Sequence, residues 1–248
     1  MITKTTLTSL LFSTILSAQV AIVNNASFRG DQPVSPGSWV AAFGTFSGVA
    51  TTTASAFPLP KTLGGVKVTI EGVDAALYDV RSTQITFLIP YATAPGLHPV
   101  QITTGGGTIS GSVRVISAAP GLFLKDTQTP PRGAIRNQDG FTENNSSTPA
   151  RRGEVVSIYG TGPGALTRSV EDGAAPGVSP TLANTKSTPQ VFIAGVQAEV
   201  QFSGLNPDAP GLWQINVFVP NQAFITGRVP VRVFMDGVDS NEVTLFVQ

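Results

Sequence analysis

The feature that most constrains this chain is an internal repeat. The matching segments are 36–45 with 152–161, 68–75 with 191–198, 84–90 with 214–220, and 99–100 with 230–231. The separation grows along the chain from 116 residues (Gly37 to Gly153) to 131 residues (Pro99 to Pro230). The additional residues therefore fall between matched segments, where loops tolerate insertions. We interpret the chain as two consecutive copies of one domain.

The matched segments carry the pattern of β-strands. Aliphatic side chains alternate with other residues at 66–70, 229–233 and 243–247, which is the period of a half-buried strand. Short apolar segments are joined by pairs typical of hairpin turns, namely Glu71-Gly72, Ala194-Gly195 and Asp236-Gly237. After residue 18 no segment has a convincing helical period. The sequence therefore predicts an all-β protein of two consecutive immunoglobulin-like antiparallel β-sandwiches.

The ends of the two sandwiches follow from the repeat and from an export signal. Residues 1–18 contain Lys4, a short apolar segment at 7–16 and the small residues Ser17-Ala18, which is typical of a cleaved signal peptide. We expect the first sandwich at 19–118 and the second at 119–248. The protein is then predicted to be secreted or held at the cell surface, with no membrane span in the mature chain.

Composition excludes several classes of function. Charged residues make up 12% of the chain, with 15 basic and 15 acidic side chains. This balance gives no electrostatic footprint for nucleic acid. Cysteine is absent and His98 is the single histidine, so thiolate chemistry is excluded and histidine chemistry has one candidate. We predict no cofactor.

The chain resembles the tandem immunoglobulin-like, Solibacter-type C-terminal domain of secreted acidobacterial proteins. The segments that carry this resemblance are 22–28, 36–38, 84–87, 119–123, 150–153, 159–162, 211–217 and 240–241. The resemblance implies an IPT/TIG-like or related immunoglobulin-like sandwich at the cell exterior, and it brings no established reaction or catalytic motif. This module usually ends a longer secreted protein, whereas here it spans nearly all of 22–248.

Three segments are weighed as reactive or ligand-binding sites. The glycines of 160–164 partly resemble a phosphate-binding loop, but Pro163 interrupts them and no helix is expected to follow, so a strand-end turn is favoured. The acidic turn 236–242 offers oxygen ligands, yet too few for the ~6–8 of a calcium shell; Glu171-Asp172-Gly173 is weaker still. His98 is interpreted as a structural or exposed histidine. We predict no catalytic, cofactor-binding or metal-binding residues.

Four further side chains receive structural interpretations. Trp39 is expected in core packing, and Trp213 in core or edge packing, rather than as sugar-stacking platforms. Gln84 and Gln214 occupy equivalent places, and we expect each amide to bond loop backbone at an end of its sandwich. The sequons at Asn25 and at 144–146 are interpreted as chance matches.

The sequence favours a non-catalytic module for binding, adhesion or structural assembly, with an extracellular protein or polysaccharide as its unidentified partner. The best candidate binding loops are 46–62, 162–187 and 142–151, the last expected to be mobile. A carbohydrate-binding module is an alternative and predicts a planar aromatic patch on an outer face, although Trp and Tyr together number five. A hydrolase with two acids predicts a cleft with raised carboxyl pKa values. A purely structural spacer predicts neither.

Overall fold

The computed structural model describes residues 20–30 and 32–248. Within these residues the regular elements are twenty β-strands in four sheets. The named strands pair antiparallel, which confirms the prediction of immunoglobulin-like β-sandwiches. The predicted signal peptide at 1–18 lies outside the described residues. In the described part of the chain no helix is long and apolar enough to cross a membrane.

The first repeat forms two facing sheets. Its strands are β1 (Ala21–Asn24), β2 (Trp39–Phe43), β3 (Thr52–Thr53), β4 (Thr62–Leu63), β5 (Val66–Ile70), β6 (Val73–Asp74), β7 (Ala76–Val80), β8 (Gln84–Leu88), β9 (Gly96–Thr104) and β10 (Gly107–Val115). One sheet has the order β1-β2-β8-β7-β3. The other has the order β10-β9-β5-β4, with β6 paired to β5.

The second repeat is built in the same way. Its strands are β11 (Gly121–Leu122), β12 (Ile135–Arg136), β13 (Val155–Thr161), β14 (Gln190–Ile193), β15 (Val196–Ala198), β16 (Val200–Leu205), β17 (Trp213–Phe218), β18 (Gly227–Met235), β19 (Val238–Asp239) and β20 (Val243–Val247). One sheet has the order β11-β13-β17-β16, with β12 on β13. The other has the order β15-β14-β18-β19, with β20 on β18.

Three tight turns confirm the predicted hairpins. Glu71-Gly72, Ala194-Gly195 and Asp236-Gly237 have φ values of 50° and 82°, 52° and 78°, and 46° and 88°. Positive φ at both central residues defines a type I′ turn, whose twist matches that of the flanking strands. The second residue is glycine because it adopts this conformation without a Cβ penalty.

Each repeat has its own apolar core. Buried residues 20–115 form one cluster and buried residues 118–247 another. The predicted alternation is confirmed, because Val66, Val68 and Ile70 are buried while Lys67 is exposed. Fully burying such an aliphatic side chain contributes roughly 1.5–3 kcal/mol. The boundary at 118/119 stays a prediction.

A third, smaller cluster lies where the repeats meet. Leu59, Ala76 and Leu88 are buried there, and Trp39 packs against them. The Trp39 indole N–H donates to the carbonyl oxygen of Pro210 at 2.9 Å. The Trp39 backbone N–H donates to the Thr161 hydroxyl at 2.8 Å. Trp39 therefore lies at the contact between repeats, and the expectation of packing inside the first sandwich is corrected.

The contact between the repeats continues into the 162–187 segment. The Leu59 N–H donates to the carbonyl of Gly173 at 2.8 Å. The Asp172 carboxylate accepts a hydrogen bond from the Tyr91 N–H at 2.8 Å and lies 3.9 Å from the Lys61 ammonium. Burial raises the pKa of the Tyr91 phenol. This part of the segment, predicted as a binding loop, instead joins the repeats.

Candidate binding site on the second repeat

The site begins with strand alternation in the sheet that contains β14 and β18. Val191 and Ile193 point into the core and are fully buried, so the intervening Phe192 faces outward. On β18 the valines face inward, which turns Arg232 and Phe234 outward. Two aromatic rings and a guanidinium group therefore lie on the solvent side of one sheet.

Strand register brings these outward residues together. Phe192 pairs with Arg232, and Gln190 pairs with Phe234, across β14 and β18. Phe192 and Phe234 are consequently diagonal neighbours, a separation that aromatic side chains can bridge. Pro230, two residues before Arg232, is exposed on the same side. The two phenylalanines are half-buried, while Gln190 and Arg232 are exposed.

Two acidic side chains complete the site. The Arg232 guanidinium lies 3.1 Å from the Asp239 carboxylate, and both side chains are about half exposed (49% and 55%). An ion pair this exposed contributes little to stability, roughly 0–1 kcal/mol, and its guanidinium lines the same depression as the rings. Asp239 and Glu242 line a shallow depression of ≈ 510 Å³ together with the phenylalanines.

We call this surface the aromatic face. It comprises Gln190, Phe192, Pro230, Arg232, Phe234, Asp239 and Glu242. It has one basic and two acidic side chains around its apolar centre. Such a surface can stack on an apolar partner surface and exchange hydrogen bonds at its rim.

The first repeat has the same register without the aromatic rings. The repeat alignment matches Thr69 to Phe192, Gln101 to Arg232 and Thr103 to Phe234. Thr69 pairs with Gln101, as Phe192 pairs with Arg232. The equivalent surface is therefore polar, and we call Thr69, Gln101 and Thr103 the polar face.

A second depression, of ≈ 760 Å³, lies between the repeats, with Tyr91 and Asp172 in its wall. Arg168 also lines it and donates hydrogen bonds to the carbonyls of Thr181, Pro176 and Gly177. These groups hold the 162–187 segment and its contact with the first repeat. The depression is therefore a consequence of how the repeats join.

The structure places His98 as a structural residue. Its ring is buried, with Nδ1 2.7 Å from the Glu71 carboxylate and Nε2 2.7 Å from the Ala94 carbonyl. Of the two interpretations, the satisfied structural histidine is confirmed. Its nitrogens face no nucleophile.

The glycine segment 160–164 forms a strand end, as predicted. Gly160 and Thr161 close β13, and Gly162 and Gly164 follow with φ values of 77° and 81°. A Cβ on Gly162 would lie 1.9 Å from the carbonyl oxygen of Ala119. These glycines permit close backbone approach where the repeats join.

In the acidic turn 236–242 the side chains of Ser240 and Asn241 bond backbone groups of the second repeat. The Asn241 amide bonds both backbone groups of Leu122, at 2.8 and 3.0 Å. The Ser240 hydroxyl accepts from the Val233 N–H at 3.0 Å and donates to a neighbouring carbonyl. Among residues 20–30 and 32–248, no group of three or more His, Cys, Asp or Glu is placed to hold a metal ion.

Two further expectations are resolved by hydrogen bonding. Trp213 is completely buried in the second core and donates to the Ser203 hydroxyl at 3.0 Å, so its predicted core packing is confirmed. The glutamine expectation is wrong, because Gln84 and Gln214 donate to the side chains of Thr86 and Asn216 rather than to loop backbone.

The 142–151 segment is organised around a buried asparagine. Asn144 is 1% exposed, and its amide bonds both the N–H and the carbonyl of Phe246 on β20. A buried amide that substitutes for a strand partner fixes the local backbone. The expectation of a mobile, solvated loop is corrected at this residue.

Carboxyl pKa values bear on the hydrolase alternative. In the described part of the chain the shifted carboxyl pKa values, those of Asp79, Asp126, Asp139 and Glu143, are all lowered. At Asp79 burial works to raise the pKa, but hydrogen bonds from Arg81 and Thr53 and the charge of Arg81 outweigh it. A general acid needs a raised pKa, so these shifts run opposite to that requirement.

Comparison with known proteins gives structural similarities of low score. No protein-family model matches the chain, and no curated protein matches it significantly. The resemblance to the Solibacter-type domain therefore stays a prediction. Solved structures that match include tandem immunoglobulin domains A168–A169 of titin, with 14% identity, coverage of 92% of this chain and 98% of that one, and a TM-score of 0.27.

Two other matches come from Bacteroides. SGBP-B of the mixed-linkage glucan utilization locus of Bacteroides ovatus, in complex with a mixed-linkage heptasaccharide, has 12% identity and a TM-score of 0.34, with 90% of this chain and 46% of that one covered. SGBP-B from a Bacteroides uniformis xyloglucan locus has 13% identity and a TM-score of 0.28, with coverage of 93% and 48%. The chain spans about half the length of these two proteins. TM-scores below 0.5 carry no functional argument, and the fold rests on the sheets and registers described above.

Proposed function

We propose that this protein is a non-catalytic, extracellular or cell-surface binding module that binds its partner through the aromatic face of the second repeat. The observation that carries this proposal is the difference between two equivalent surfaces. At matching register positions, the first repeat presents Thr69 and Thr103, whereas the second presents Phe192 and Phe234.

The aromatic face has no structural role that would explain its rings. The core beneath it is complete without them, because Val191, Ile193, Val231 and Val233 fill the inner side of the sheet. Outward aromatic residues beside an arginine are the composition found at the energetic centres of binding surfaces. A pure spacer needs no such surface, so the binding function is favoured over the spacer.

The signal peptide predicted from the sequence at 1–18 supports an extracellular location. The lowered carboxyl pKa values favour binding over hydrolysis. The Arg232–Asp239 ion pair places a carboxylate acceptor beside a guanidinium donor within the aromatic face.

The test replaces the aromatic face with the residues of the polar face. The face-exchange variant is Phe192→Thr/Arg232→Gln/Phe234→Thr, and retention is measured by electrophoresis in gels that contain one polymer each. The polymers are hydroxyethylcellulose, galactomannan, dextran, alginate, polygalacturonate and gelatin. We expect the wild type to be retarded by at least one polymer and the variant to migrate as in an empty gel.

The matched control is Thr69→Ala/Gln101→Ala/Thr103→Ala, which alters the polar face and should leave retention unchanged. All variants should keep their thermal unfolding midpoint within a few degrees, since the altered residues lie outside the cores. Equal retention of the wild type and a folded face-exchange variant, or no retention of the wild type by any polymer, would contradict the proposal.

A further inference from the structure

We infer that the occupant of the aromatic face is a neutral polysaccharide chain. This inference rests on the proposed function and adds the chemistry of the partner. It is carried by four observations: the pairing of rings with planar polar groups, the balance of charge, the closed edge of the sheet, and the open shape of the depression.

The apolar part of the face suits the C–H surface of a sugar ring. Phe192 and Phe234 lie diagonally on neighbouring strands, and both line the depression with Pro230. The face of an aromatic ring is electron-rich, so it attracts the polarised C–H groups on one side of a pyranose. Two rings on neighbouring strands of the sheet offer this contact to more than one sugar of a polysaccharide chain.

The polar part of the face suits hydroxyl groups. The rings share the depression with four side chains that end in planar groups with two or more hydrogen-bonding atoms. These are Gln190, Arg232, Asp239 and Glu242. A sugar presents neighbouring hydroxyls that both donate and accept. The amide and guanidinium groups supply donors and the carboxylates supply acceptors, so both roles are matched.

The charge of the face disfavours anionic polymers. The face has one basic and two acidic side chains, and the arginine is already paired with Asp239. A polyanion would meet the two carboxylates with no uncompensated cation. The whole chain has a formal net charge of zero and adds no long-range attraction. A neutral polymer encounters none of these penalties.

The sheet edge beside the face is closed to a peptide strand. A peptide that extends a sheet needs free backbone groups along an edge strand. On β20 the carbonyl of Thr244 accepts from the Gly133 N–H, and the carbonyl of Phe246 accepts from the Ala150 N–H. At the opposite edge β15 spans three residues. Strand addition has little template here, which leaves the flat face as the binding surface.

The shape of the depression fits a section of a long chain. Its volume of ≈ 510 Å³ lies within the ~300–1,000 Å³ common for ligand sites. It is a depression open to solvent rather than an enclosed cavity. An open depression leaves room for a polymer that extends beyond the bound section.

The test is retention in gels that contain neutral hydroxyethylcellulose, galactomannan or dextran, against anionic alginate or polygalacturonate and against gelatin. We expect retardation by at least one neutral polysaccharide, unchanged between about 0.05 M and about 0.5 M NaCl, because no ionic attraction is involved. Phe192→Ala/Phe234→Ala should weaken it by about tenfold or more, since both stacking contacts are lost. Phe192→Tyr/Phe234→Tyr, which keeps the rings, should retain it.

The outcomes separate this inference from the proposed function. Retention by alginate, polygalacturonate or gelatin alone, lost in the face-exchange variant, would overturn the neutral-polysaccharide inference and leave the binding face in place. Retention by a neutral polysaccharide that survives in a folded face-exchange variant would overturn both. Equal loss in the tyrosine and alanine variants, with both folded, would contradict stacking as the source of affinity.

Discussion

The two repeats share one framework and use opposite faces of it. In the first repeat, the outer side of the β2-β8-β7 sheet is covered by the second repeat, with Leu88 and Ala76 buried there. On the matching side of the second repeat polar side chains pair with one another, and the Ser157 hydroxyl donates there to the Asn216 side chain. The other sheet shows the reverse: the polar face belongs to the first repeat and the aromatic face to the second.

This comparison separates what the fold requires from what function adds. Inward positions are aliphatic in both repeats, and the cross-strand registers are equivalent. The outward positions differ, and each difference matches what lies outside: a docked neighbour, solvent or the proposed ligand. In this molecule the outward side chains therefore determine what each surface does, while the framework is shared by both repeats.

The largest effect on the free energy of unfolding is expected from replacing the tryptophans, and it should differ between the two. Trp213→Ala should reduce the free energy of unfolding by about 3–5 kcal/mol, because it empties a fully buried core site. Trp39→Ala should cost about 1–3 kcal/mol, because it removes one hydrogen bond and a partly exposed ring. Chemical denaturation followed by circular dichroism measures both. Equal losses of unfolding free energy in the two variants would contradict the assignment of Trp213 to the core and of Trp39 to the contact between repeats.

The contact between repeats is tested by two glycines of one segment. A Cβ on Gly173 would lie 2.8 Å from the Cβ of Ala76, whereas a Cβ on Gly177 would have nothing within 4 Å. Both have positive φ, at 82° and 64°, so each alanine variant carries about 1 kcal/mol of backbone strain. Gly173→Ala should lose roughly 1–3 kcal/mol through overpacking.

Gly173→Ala should also separate the repeats, while Gly177→Ala serves as the strain control. Small-angle X-ray scattering should show a larger radius of gyration for Gly173→Ala alone. Identical scattering and stability for the two variants would contradict the assignment of this segment to the contact between repeats.

Much of the framework was predictable because it depends on local rules. Strand alternation at 66–70, the glycine turns and the repeat itself are set by neighbouring residues. The same reasoning placed Trp213 in the core. These predictions needed no knowledge of which distant segments meet.

The predictions that failed concern side-chain contacts that strand periodicity does not specify. Trp39 reaches Pro210 and Thr161, and neither partner is signalled by the local sequence around 39. Gln84 and Gln214 were assigned to loop backbone, yet a neighbouring outward side chain on the same strand lies closer to each. Polar side chains on an open sheet face can satisfy one another, which strand periodicity alone does not indicate.

The aromatic face had a partial signal in the sequence. Aligning the repeats places Phe192 opposite Thr69 and Phe234 opposite Thr103, so each substitution was visible. Their proximity was not, since it depends on the pairing of β14 with β18 across the 33 residues that separate the two strands. Comparing outward positions between repeats is the step that would have identified this surface.

A reciprocal exchange, from the polar face to the aromatic face, should have a moderate effect on retention in the gel. Thr69→Phe/Gln101→Arg/Thr103→Phe places the aromatic residues on the first repeat at equivalent register. We expect stability to change by less than about 0.5 kcal/mol and retention in the gel to increase, because the chain then has two stacking surfaces. Unchanged retention would show that the acidic rim of Asp239 and Glu242, which the exchange lacks, is also required.

The smallest effect is expected on the pH dependence of the melting temperature. A hydrogen bond from the Arg132 backbone lowers the pKa of Asp126, and Lys125 lowers that of Glu143. Carboxyl groups with lowered folded pKa values stabilise the protein above about pH 4, the unfolded pKa. That contribution is lost as the pH falls through the lower folded values. Asp126→Asn/Glu143→Gln should therefore lose less in melting temperature between pH 7 and pH 3 than the wild type.

Three of the four carboxyl groups with lowered pKa values lie in the second repeat. Asp79→Asn, in the first repeat, should flatten the pH dependence less than the double variant. The reverse order of slopes would contradict this difference between repeats.

The most direct test of the central claim observes the rings themselves. Oligosaccharides cut from the polysaccharide that retards the protein are titrated into chain with ¹³C-labelled phenylalanine rings, followed by NMR. The account predicts that the Phe192 and Phe234 signals shift in a saturable manner, while those of the exposed Phe28 and Phe57 of the first repeat stay in place. Saturable shifts at Phe28 or Phe57, with Phe192 and Phe234 unchanged, would contradict the assignment of binding to the aromatic face.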